Sequence, residues 1–105
     1  MPAEVSRITG PIHGKEEECI PVVFHDDLVT VGIQNKTICA YLTYKTDHLP
    51  DFLIWKMLGE SEYVVGLEPR TTCLGGEDIQ NSEKYVVVKP FEEYQTYLKF
   101  QVCSR

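Results

Sequence analysis

With 105 residues, the chain has room for one domain with a modest core, burying about two-thirds of the surface its unfolded form would expose. It carries 10 Lys and Arg against 16 Asp and Glu, a formal charge of −6. Nucleic acid and anionic membrane surfaces are therefore excluded as expected partners, since both need a basic face to displace counterions. Four cysteines, Cys19, Cys39, Cys73 and Cys103, are widely spaced with no C-x-x-C pair, so the pattern predicts neither a metal site nor a disulfide framework and points to free thiols. Met1–Gly14 contains no apolar leader and no stretch of about 18 apolar residues occurs, so a soluble cytoplasmic protein is expected.

Residues 1–20 are polar, hold Pro2, Gly10, Pro11 and Gly14, and end in Glu16-Glu17-Glu18. They read as an irregular lead-in with a solvated acidic run, followed by a single domain over 21–105. Val22-Val23-Phe24 is a short predicted strand. Leu28–Gln34 then alternates, with Val29, Val31 and Ile33 on one face, and Asn35-Lys36 is the predicted hairpin turn. Thr37–Thr46 continues with Ile38, Ala40, Leu42 and Tyr44 inward. Pro50 biases Leu49 away from helix. Phe52–Leu58 and Tyr63–Glu68 form a second hairpin around Gly59-Glu60-Ser61-Glu62, and Pro69 is expected to end its second strand. The long loop Arg70–Glu83 is a candidate rim or lid. Lys84–Lys89 and Tyr94–Val102 are the predicted closing strands. About seven short strands without an amphipathic helix imply an all-β fold, an antiparallel sheet or sandwich.

The acid that stands out is Glu68, at the end of an apolar strand where a lone carboxylate is costly to bury unless paired or used. Its surroundings carry a resemblance. Leu49-Pro50, Trp55-Lys56-Met57, Gly59, Tyr63-Val64 and Gly66-Leu67-Glu68-Pro69 resemble the C-terminal part of the aldose 1-epimerase (galactose mutarotase)-like superfamily, in particular a bacterial subfamily with a WKM…GLEP pattern. Pro21–Leu28 looks like that family's strand with a histidine near its end, and Tyr85–Pro90 and Tyr94–Val102 look like its closing strands. The likeness covers most of residues 18–103, roughly the last third of a full-length relative.

The resemblance implies a β-supersandwich fold and a carbohydrate ligand, an aldose or a derivative, with no cofactor and no metal. It gives Glu68 the role of catalytic base. Anomers interconvert when a base takes the C1 hydroxyl proton while an acid protonates the ring oxygen, each placed group being worth about 10²–10⁴-fold. The family's usual acid, a histidine in the N-terminal half of the fold, has no counterpart here. Of the three histidines, His13 and His48 read as solvated or loop residues, and His25 is the candidate for lining a sugar site. A four-residue turn registers Trp55 opposite Gly66 and Leu53 opposite Glu68, placing Trp55 on the side of Glu68; a one-residue bulge would place Lys56 there instead. Tryptophan suits the apolar face of a pyranose, lysine a hydroxyl or an acidic substituent. Trp55, Lys56 and His25 are accordingly the substrate-binding candidates.

The chain departs from these relatives in two places. They carry an asparagine and a later Gly-Arg where this loop reads RTTCLGGEDIQ, and a Pro-Gly-Glu where it has Pro90-Phe91-Glu92. The expectation is a truncated aldose 1-epimerase-like carbohydrate-binding protein that keeps the base, with little activity as an isolated chain. The alternatives are a non-enzymatic β-sandwich serving as a binding or interaction module, and a remnant of a truncated gene. Uncovered edges predict self-association, or pairing with a missing N-terminal part.

Overall fold

The computed structural model describes residues 7–72 and 86–105. Six strands occur among them: β1 (Glu18–Val22), β2 (Leu28–Gln34), β3 (Ile38–Lys45), β4 (Asp51–Leu58), β5 (Tyr63–Arg70) and β6 (Lys99–Ser104). They form two antiparallel three-stranded sheets, ordered β1-β4-β5 and β2-β3-β6, with no helix among the described residues. The fold is all-β, consistent with a sandwich, as the alternation implies.

The core lies between the sheets. Phe52 of β4 meets Val29 of β2 and Tyr44 of β3, with Val22, Phe24, Val31, Leu42, Leu49, Ile54 and Leu67 packed around them. The Phe52 ring stacks on Tyr44 at 6.2 Å and 18° and tilts against Phe24 at 5.3 Å. Tyr44 is 0% exposed and Phe52 2%. The inward faces of β2 and β3 are the ones the alternation selects.

The register of that hairpin differs from expectation. Val29 pairs Tyr44 and Val31 pairs Leu42, which centres the turn on Lys36-Thr37, one residue later than Asn35-Lys36. Asn35 Oδ1 accepts hydrogen bonds from the backbone amides of Thr37 and Ile38, both at 2.9 Å, and Asn35 N donates to Ile38 O at 3.0 Å. The asparagine thus folds the chain over itself rather than occupying a central turn position. Moving the turn by one residue slides the pairing by two, so no side chain changes face.

Gly32 is required by close approach: a Cβ there would lie 2.4 Å from the Ala40 carbonyl oxygen and 2.6 Å from the Tyr41 ring.

Several predicted boundaries move. β1 starts at Glu18, inside the expected lead-in, and ends at Val22, because residues 18–22 pair with 52–56 of β4. β5 continues through Pro69 to Arg70. Gly59 N donates to Glu62 O at 2.8 Å, which makes Leu53/Glu68 a hydrogen-bonded pair and Phe52/Pro69 a non-hydrogen-bonded one. The proline nitrogen therefore points away from β4, to the side of β5 that has no strand partner among the described residues, and no β4–β5 ladder bond is lost. Finally, β6 spans Lys99–Ser104 rather than Tyr94–Val102, and residues 86–89 are not strand. Residues 73–85, which hold Cys73, most of the expected lid loop and the start of one closing strand, lie outside the described residues.

Candidate functional site

The site is built on the β4–β5 hairpin. Alternation in paired strands puts Asp51, Leu53, Trp55 and Met57 of β4 on one face with Val64, Gly66, Glu68 and Arg70 of β5. Trp55 pairs Gly66 and Leu53 pairs Glu68, the register the four-residue turn predicts, with no bulge. This is the sheet face turned away from the Phe52 core.

Glu68 is half-buried and takes no hydrogen bond or ion pair among the described residues. Its carboxylate lies over Gly66: a Cβ at position 66 would stand 2.6 Å from Glu68 Oε2. The glycine makes room for the acid beside Trp55. Beneath it, the facing Leu53 is 4% exposed.

The cation best placed to neutralise Glu68 is Arg70, two residues along the same face. It is held by Asp51 instead, directly across the ladder, in an ion pair whose side chains are 22% and 25% exposed. Trp55 is half-buried and its indole N–H donates to Glu17 Oε2 at 2.8 Å, which fixes the ring's polar edge. Here the acidic run departs from a purely solvated surface. Glu17 orients Trp55, and Glu18 lies 3.9 Å from both Lys15 Nζ and Lys56 Nζ.

Lys56 is not brought to Glu68. It projects from the opposite face of β4, toward the interior, and is 6% exposed. Its ammonium donates to Arg7 O at 3.4 Å and lies 3.9 Å from Glu18 Oε2. Buried charge needs such partners, and they tie β1 and the preceding segment to β4. Lys56 also lines a cleft of about 80 Å³ with Ile8, Gly32, Ile33, Ile54, Val65 and Leu67, room for a few waters.

The histidines are also apart from Glu68. His25 is exposed in the connection between β1 and β2. His13 Nδ1 sits 2.9 Å from Glu60 Oε2, and His48 Nδ1 lies 3.0 Å from Thr96 Oγ1 with its ring edge-on to Tyr94 at 6.3 Å. Trp55 is thus the one substrate-binding candidate that shares the face of Glu68.

A protein-family model described as "Domain of unknown function (DUF4432)" matches residues 2–102. The chain belongs to the DUF4432 family. No curated protein and no solved structure matches it. Within this DUF4432 domain, sequence reasoning missed Asp51, Arg70 and Glu17. The first two were within reach, since the register that pairs Trp55 with Gly66 also pairs Asp51 with Arg70. Glu17 was not, because its approach to Trp55 depends on β1 pairing with β4 across 38 positions of sequence.

Proposed function

We propose that this DUF4432 domain is an aldose 1-epimerase-like carbohydrate-binding protein whose ligand lies on the Trp55–Glu68 face, with Glu68 in the role of base. The observation that carries this reading is the Glu68 carboxylate, which has no partner among the described residues although an arginine stands two positions away. A base must keep its lone pairs available for a sugar hydroxyl, and Asp51 leaves them so by engaging Arg70. Trp55, orientated by Glu17, supplies an aromatic surface for the apolar face of a pyranose. Lys56 and His25 have no part in this site.

The reading assigns a base and no acid. His13 and His48 are engaged elsewhere and His25 has no contact with Glu68. Ring opening without protonation of the ring oxygen forfeits about 10²–10⁴-fold. Polarimetry on freshly dissolved galactose and glucose is expected to show at most trace acceleration of mutarotation by the isolated chain. Rapid mutarotation abolished by Glu68→Gln would contradict the missing acid.

A second reading, a non-enzymatic β-sandwich that works as an interaction module, is favoured by β6. Phe100 and Val102 are 68% and 55% exposed on the face they share with Leu42 and Ala40. In that reading β6 pairs with a second copy of the chain, and Glu68 is a surface acid.

A further inference from the structure

On the outer face of the other sheet, Cys39 of β3 and Cys103 of β6 are directly paired across the ladder. Arg105 N donates to Thr37 O at 2.9 Å, so Thr37/Arg105 is a hydrogen-bonded pair and, two residues further along each strand, Cys39/Cys103 is another. Such pairs hold their Cα atoms about 5.5 Å apart, within the roughly 4.4–6.8 Å that a disulfide spans. Cys39 is 5% exposed and its Sγ lies 3.9 Å from Gln34 Oε1, while Cys103 is exposed. Cys103 is the accessible residue of the pair and Cys39 the buried one.

We propose that Cys39 and Cys103 are a thiol pair that a small-molecule disulfide oxidises to an intramolecular cross-strand disulfide, latching β6 onto β3. The Cys103 thiol loses its proton and attacks one sulfur of the oxidant, forming a mixed disulfide and releasing one small thiol that carries that proton. The Cys39 thiol then loses its proton, attacks the Cys103 sulfur and displaces the second small thiol. Two electrons pass from the protein thiols to the oxidant, which leaves as two thiols. Partial desolvation beside β3 and the neighbouring Cys39 push the Cys103 thiol up, so the exchange runs faster at mildly alkaline pH, where more thiolate is present.

The latch has something to hold. Among the described strands, β6 pairs only with β3, and each of its residues is exposed. A strand with one ladder and little burial opens locally at low free energy. A covalent link at Cys39/Cys103 confines it.

The test uses the full chain carrying Cys19→Ser and Cys73→Ser, incubated with oxidised glutathione at mildly alkaline pH and read by intact mass and linked-peptide mapping. The expected product is a monomer lighter by two hydrogens with Cys39 joined to Cys103, reversed by dithiothreitol. Amide exchange of Phe100–Ser104 should slow at least tenfold on oxidation. In the same background Cys39→Ser should leave a persistent glutathione adduct on Cys103. Accumulation of glutathione adducts or intermolecular dimers with Cys39 present would overturn the pairing, and unchanged exchange in the oxidised monomer would overturn the latch. If the double variant does not fold, the same peptide mapping on the wild-type chain decides between these outcomes.

Discussion

Tyr44 has the most confined side chain among the described residues. It is 0% exposed, and its hydroxyl has no hydrogen-bond partner among the described residues. Burial, with a smaller contribution from the charge of Asp51, pushes its pKa up to about 12 from 10.0. The folded state therefore retains a proton that the unfolded chain gives up. Its contribution to stability is complete below pH 10 and is lost as pH rises from 10 toward 12. Replacing it by phenylalanine removes an unsatisfied buried hydroxyl while keeping the ring on Phe52. Tyr44→Phe is accordingly expected to change stability at neutral pH by no more than about 1 kcal/mol, in either direction, and to flatten the alkaline loss. Urea denaturation midpoints across the pH range check both. A neutral-pH loss above about 2 kcal/mol would mean that the hydroxyl is bonded. A similar question of partnership gives Glu68 its interest: Asp51, rather than Glu68, engages Arg70.

Among the connecting elements, the turn Lys89–Glu92 is strained. Glu92 N donates to Lys89 O at 3.0 Å, Pro90 takes the first central position, and Phe91 sits in the second with φ 68°. A type II turn wants glycine there. Phe91 is fully exposed, so no packing offsets the left-handed backbone. Phe91→Gly is expected to stabilise the chain by about 0.5–1 kcal/mol, the relief of strain exceeding the extra unfolded-state entropy of glycine. An unchanged or lower urea midpoint would contradict it.

Alternation gave the faces of β2, β3, β4 and β5, because a side chain's face depends only on odd or even position. The β4–β5 register followed from its turn, and with it the Trp55–Glu68 juxtaposition. The phase of the hydrogen-bond ladder was not legible, so Pro69 looked like a stop. Nor was the Asn35 side-chain turn, which set the β2–β3 pairing. β6 was misplaced because Tyr94–Leu98 alternates like a strand yet has no ladder partner among the described residues. Tyr94 and Thr96 are taken up by His48 instead.

At the level of the whole fold, the two short sheets leave edges without a strand partner among the described residues and expose much apolar surface. Phe100, Val102, Ile33 and Ile38 are all more than 40% exposed, and edge strands with such faces pair with other chains. Light scattering is expected to show self-association, weakened by Phe100→Lys. A monomer at all concentrations with cooperative unfolding would contradict that expectation. The central claim is that the Trp55–Glu68 face takes an aldose, and the chain has a single tryptophan to report on it. The direct measurement is Trp55 fluorescence during titration with galactose, glucose and other aldoses, for the wild-type chain and for Gly66→Ala. The added methyl would displace the Glu68 carboxylate, the mobile end of a flexible side chain, from its position 2.6 Å away. The account predicts a saturable change in the wild-type chain that weakens in Gly66→Ala without loss of folding. A wild-type signal that no aldose changes, or saturable binding that Gly66→Ala leaves intact, would contradict it.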